Sequence, residues 1–106
     1  MDIKAIHNEA YQAAAQAENA FLAQHGEPLY CGFAWVDVFV DRTNSKEAKA
    51  LKEIGFKNSW RRKVLNMWKP GAYNGQSMDV LEAGARAYAD VLAKYGFRAY
   101  MGSRAD

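Results

Sequence analysis

The chain is poor in the residues that staple small proteins: 106 residues contain one cysteine and two histidines. The single thiol, Cys31, excludes an internal disulfide. His7, His25 and Cys31 lack the paired spacing of a metal site, so no metal or cofactor is expected to hold this fold. No apolar run is long enough to cross a bilayer, which argues against a membrane partner. The opening Met1-Asp2-Ile3-Lys4 lacks the basic-then-apolar pattern of a secretory leader. With the unpaired cysteine, this points to a reducing, cytoplasmic setting. Repeats, low-complexity tracts and interdomain linkers are missing too. What remains is a chain that is half hydrophobic, enough at this length for a core of its own and for one α+β domain over 1–106.

Charge is nearly balanced at +2 but unevenly spread. Residues 1–41 carry one base and six acids (−5), residues 42–70 nine bases and two acids (+7), and residues 71–106 four of each (0). A basic middle third on an otherwise neutral chain is a plausible footprint for an anionic partner, and equally the pattern of a solvated Lys-rich helix.

The periodicity reads α-β-α-β-α-β, a three-stranded sheet with three helices in a single layer on at least one face. A first helix over about Asp2 to His25 has Ile3, Ile6, Ala10, Ala13, Ala17, Ala20 and Phe21 near helical spacing. Asp2 suits its start, and Gly26 with Pro28 its stop. Leu29 to Val40 is the clearest strand, and the expectation is a central one covered on both sides. One face carries Gly32, Ala34, Val36, Val38 and Val40, small enough to take the Ala-rich helix. The other carries Cys31, Phe33, Trp35, Asp37 and Phe39. A second helix spans about Ser45 to Ile54, where Asn44 and Glu47 have capping-box spacing. Trp60 to Trp68 reads as the second strand. A loop from Lys69 to Gln76 leads to a third helix capped by Ser77, and Phe97 to Met101 forms the last strand before a tail.

Three stretches carry a resemblance: Tyr30-Cys31-Gly32-Phe33-Ala34-Trp35-Val36, Gln76-Ser77-Met78-Asp79-Val80-Leu81-Glu82-Ala83-Gly84-Ala85, and Gly102-Ser103-Arg104-Ala105-Asp106. Nearly the whole chain resembles a family of small uncharacterised proteins encoded by tailed bacteriophages. The resemblance implies a protein at work in the cytoplasm of an infected bacterium, in the company of small accessory proteins that blunt host defences. It carries over no site residue.

The residues themselves offer three sites. In the first, the Trp68–Gln76 loop and the Ser77-capped helix start present backbone N–H groups to a phosphate, with Lys69 at hand and Trp68 and Tyr73 free to stack on a base. The plain alternative is an ordinary strand-to-helix connection. In the second, Phe33 and Trp35, Trp60 and Trp68 with Arg62 and Asn66 between them, and Tyr100 with Arg98 bring rings and cations to one sheet face. Tryptophans at strand spacing are more often core than platform. In the third, Asp37 and Glu82 form a carboxylate pair if the fold brings them together. Cys31, set among aromatic residues, is expected to be buried and inert.

The leading expectation is a non-enzymatic accessory protein binding a nucleotide-like or phosphorylated ligand, such as a host defence signal. Its ligand-binding set is Trp35, Arg61, Arg62, Trp68, Lys69, Tyr73, Gln76, Ser77 and Arg104. The alternatives are an inhibitor docking on a host protein and a binder of single-stranded nucleic acid. Small-residue stripes on the first and third helices leave room for a homodimer or higher homo-oligomer.

Overall fold

The computed structural model describes residues 2–106. In chain order the elements are α1 (Ile3–His25), β1 (Gly32–Phe39), α2 (Lys46–Glu53), β2 (Lys57–Asn58), β3 (Val64–Trp68), α3 (Met78–Lys94) and β4 (Arg98–Ala105). The α+β class and the three helices agree with the sequence reading, but the sheet has four strands rather than three. Their order is β2-β3-β1-β4, with every neighbouring pair antiparallel. From β1 onward the chain runs βαββαβ, the split βαβ arrangement, with α1 added in front.

Local chemistry sets the element ends. Asp2 caps α1 by accepting from the N–H groups of Lys4 and Ala5 at 3.1 and 3.2 Å. Gly26 ends α1 at φ +72°, a backbone conformation that glycine adopts without strain. The cap of α2 is Ser45, whose hydroxyl accepts from the Ala48 N–H at 3.1 Å, so the cap sits one residue after the expected Asn44. The extra strand β2 has only two residues, too few for alternation to register. Lys63, at φ +62°, interrupts the extended run, so Trp60 to Lys63 form a hairpin turn and β3 starts at Val64. At the other end, β4 continues through the polar Gly102-Ser103-Arg104-Ala105, which pairs residue for residue with the start of β1. That segment reads as a tail in sequence because its regularity comes from a partner far along the chain.

The helices occupy one face of the sheet. On that side β1 buries Gly32, Ala34, Val36 and Val38, and α3 packs over β1 and β4 with Val80, Leu81, Ala85, Tyr88 and Leu92 buried. The expectation that both faces of β1 are covered fails: Phe33, Trp35, Asp37 and Phe39 alternate with the buried set and are only half-buried. The Ala-rich stripe of α1 packs chiefly on α3. Ala10 and Ala14 are fully buried in the core cluster. Between these helices the His7 ring and the Tyr88 hydroxyl lie 2.8 Å apart, satisfying a polar tip deep in the core.

One carboxylate lies inside this packing. Glu18, on α1, is 3% exposed and accepts from the backbone N–H groups of Ala72 and Tyr73 at 2.9 and 3.1 Å. A Cβ on Gly71 or Gly84 would collide with it. Glycine inside a helix costs about 1 kcal/mol relative to alanine, and Gly84 stands in α3 because the Glu18 carboxylate occupies the space a side chain would need. Burial pushes the Glu18 carboxyl above its ordinary range, against the pull of the two N–H donors. The folded form therefore holds its proton more tightly than the unfolded chain does. Stability attributable to this group is greatest at low pH and declines as pH rises from 4.5 through the raised value.

Glu18→Ala, which orphans both N–H donors, should cost on the order of 2–4 kcal/mol. Glu18→Gln keeps an acceptor and removes the buried charge. Its stability relative to the parent, measured by denaturant unfolding at several pH values, should improve as pH rises through the window above 4.5. A difference that stays flat with pH would show that the carboxylate is not desolvated.

Candidate functional site: the helix-free sheet face

The face of the sheet turned away from the helices is built by alternation. Register places Trp35 between Trp68 and Gly102, Asp37 between Asn66 and Tyr100, and Phe39 between Val64 and Arg98, with Phe33 beside Arg104. Trp35 and Trp68 stack at 4.6 Å between ring centroids with a 25° interplanar angle. The Trp35 indole lies across Gly102, where a Cβ would collide with it, so this glycine lets the ring lie flat on the neighbouring strand. Phe33 meets Trp68 edge-on at 5.8 Å, and Phe39 meets Tyr100 edge-on at 5.7 Å. These rings are not a closed core: Trp68 is 44% exposed and Tyr100 58%.

Arginines sit over the rings. The Arg104 guanidinium lies 5.4 Å from the Phe33 centroid and 5.9 Å from that of Trp68, and Arg61 lies 5.1 Å from Phe39. Arg61 gets there because the β2–β3 turn bends over the sheet. Ser59 organises that turn, accepting from the Arg61 N–H and donating to the Arg61 carbonyl. Arg98 flanks the face and pairs with Asp41 at 3.1 Å. At the centre stands Asp37, whose carboxylate accepts from the Trp35 indole N–H at 3.2 Å. Burial pushes its carboxyl up, while that N–H and the charge of Arg61 pull it down.

Two depressions flank this carboxylate. One, of about 260 Å³, is lined by Trp35, Trp60, Asn66, Trp68 and Arg104, and the other, of about 580 Å³, by Phe39, Arg98 and Tyr100; Asp37 and Arg61 line both. A depression of about 570 Å³ between α2 and the end of α3 carries charges of both signs on Lys46, Glu47 and Glu53, and Tyr95 and Phe97 are its only rings.

Four of the sequence-predicted residues, Trp35, Arg61, Trp68 and Arg104, thus meet around one depression. Arg62 is exposed in the adjoining turn. Lys69 is exposed and follows β3 at φ +51°, its N–H bonded to the Ala34 carbonyl. Tyr73, Gln76 and Ser77 lie elsewhere. The Tyr73 hydroxyl donates to Glu27 and accepts from the Ser77 N–H. The Met78 N–H donates to the Tyr30 carbonyl, and the Gln76 carbonyl accepts from Gly32. The backbone donors expected to cradle a phosphate are therefore engaged at Ser77 and Met78, and those of Ala72 and Tyr73 hold Glu18. Ser77 stands at the α3 N-cap without a side-chain capping bond.

Asp37 and Glu82 do not form a pair. Asp37 is on the open face, whereas Glu82 accepts from Ser103 on the helix side of the sheet. Trp60 is not a strand residue and stands 92% exposed in the turn. Phe39 belongs to none of the sites read from sequence and Asp37 only to the carboxylate pair, although a carboxylate alternating with aromatic residues is itself a sign that a strand face is not sealed. Among the described residues, no group of three or more His, Cys, Asp or Glu side chains is placed to hold a metal ion, and no helix is long and apolar enough to cross a membrane.

Cys31 is exposed rather than buried. It precedes β1 at the rim, bridged to Ser77, with its thiol directed to the Leu29 carbonyl at 3.6 Å. A thiol reagent should therefore label the native protein at a rate close to that of the unfolded chain. Protection in the native state would place Cys31 back in the core. Comparison with protein-family models, with curated proteins and with solved structures finds no match to this chain.

Proposed function

We propose that the helix-free sheet face binds single-stranded nucleic acid, bases on its rings and phosphates on its arginines. The observation that carries this reading is the interleaving of half-exposed rings with arginines across one uncovered face: Phe33, Trp35, Phe39, Trp68 and Tyr100 with Arg61, Arg98 and Arg104. Base–aromatic stacking accepts any base because every base has a π-face, and single strands expose those faces. Phe33 and Phe39 are six residues apart on β1, about 20 Å at strand rise. That is room for several nucleotides. The basic turn Arg61-Arg62-Lys63 and the neighbouring Lys57 add positive potential along one side.

A nucleotide-sized ligand is the second reading, favoured by the two separate depressions on this face. In the setting that the likeness to phage-encoded proteins implies, the single strand would be one made in the infected cell, and the small ligand a nucleotide signal.

Fluorescence titration with single-stranded decamers tests both. Trp68→Ala and Tyr100→Ala should each weaken binding by roughly 1–3 kcal/mol. Arg61→Ala and Arg104→Ala should each flatten the dependence of log affinity on log salt by about 0.7. Affinity that grows with strand length supports the polymer, and a mononucleotide that binds as well as a decamer supports the small ligand. Absence of binding to both, or affinity unmoved by Trp68→Ala and Arg104→Ala together, overturns the assignment of this face.

A further inference from the structure

The charge on the open face is arranged in two zones: one carboxylate at the centre, guanidinium groups around it. Asp37 is flanked by Asn66 on β3 and Tyr100 on β4; Arg61 lies to one side over the Phe39 ring and, with Asp37, lines both depressions, and Arg98 and Arg104 lie farther out. A phosphate is repelled from the centre and drawn to the surround. A strand lying on this face therefore keeps its backbone among the arginines and turns base edges inward to Asp37 and Asn66.

Resting on the stacking reading above, we infer that Asp37 and Asn66 read the inward base edge and select guanine. The argument is donor and acceptor matching. An ionised carboxylate only accepts. One of its oxygens already accepts from the Trp35 indole, which fixes the group in place and leaves the other oxygen and the remaining lone pairs open. Guanine offers two adjacent donors on its Watson–Crick edge, N1–H and the N2 amino group. Adenine and cytosine each offer one amino group beside a ring nitrogen lone pair, which a carboxylate repels. Uracil offers one N–H between two carbonyl oxygens. Next to guanine N1–H is the O6 acceptor, and the Asn66 side-chain amide supplies the matching donor. Directly opposed residues on antiparallel strands have Cβ atoms about 5 Å apart, so the two polar groups can address neighbouring positions of one base edge. The stacked pair Trp35–Trp68 lies on one side of the Asp37 row and Phe39 on the other, while Tyr100, within the row, meets Phe39 edge-on; these rings hold the base plane.

The test uses the full chain and labelled uridine decamers with one central residue replaced by guanine, inosine or adenine; a lone guanine avoids the self-association of guanine runs. Fluorescence anisotropy should show the guanine decamer binding about tenfold more tightly than the adenine decamer. Inosine, which lacks the N2 amino group, should fall between them. Asp37→Asn should bring the guanine-to-adenine ratio close to one. Should that variant fail to fold, the guanine, inosine and adenine series on the unmodified protein decides alone. Tight binding with equal affinity for all three decamers overturns guanine selection and leaves the stacking reading intact, whereas no binding to any decamer overturns both. A preference that survives in folded Asp37→Asn removes the role of Asp37.

Discussion

Every residue of β1 points to one side of the sheet or the other, and the two sets of side chains are different in kind. The set facing α3 is small and β-branched, so a helix approaches closely and seals that side. The set facing away is large, aromatic and interrupted by Asp37. A carboxylate in the middle of that row resists a second covering layer, because full burial would leave its charge with one indole N–H and the charge of Arg61 as compensation. The sheet is therefore one-sided. All three helices lie on its other face or beyond, and the rings that remain have the area of a core without the closure of one.

The periodicity of the chain carried most of this architecture. The α+β class, the three helices, the central place of β1 and the alternation of its faces follow from apolar spacing alone. What escaped was set by distant partners or by single dihedrals. β2 is too short to have a period, and the end of β4 is polar and takes its extended form from pairing with Gly32 to Trp35. Trp60 lost its place on a strand to the left-handed backbone at Lys63. On the functional side, Trp35, Trp68, Arg61 and Arg104 are legible singly, and the two rings as partners on one sheet face, but their meeting around one depression depends on how β1, β3, β4 and the turn between β2 and β3 pair. The loop before α3 has the composition of a phosphate site, and only its three-dimensional partners reveal that its donors are already in use.

Those partners matter for how the molecule treats negative charge. The backbone donors of the loop are satisfied internally by Glu18 and by the Tyr73 hydroxyl. Positive charge is instead displayed on long side chains over rings, where guanidinium groups keep both their charge and a flat hydrophobic contact. An anion approaching this surface meets flexible arginines on an aromatic floor, a combination that accommodates a chain of varying sequence better than a rigid cradle of N–H groups.

The fit of Glu18 between Gly71 and Gly84 has a consequence for how this sequence can change. The three positions come from α1, from the loop after β3 and from the interior of α3, yet each residue is defined by the other two. A side chain at position 84 is obstructed only while the carboxylate is present, and the carboxylate is tolerable only while the loop folds its N–H groups around it. Substitutions at these sites therefore combine non-additively, with the effect of one depending in sign on the state of the others. A side chain at position 71 or 84 is accommodated more cheaply once residue 18 is shortened, so the three positions change more readily together than one at a time.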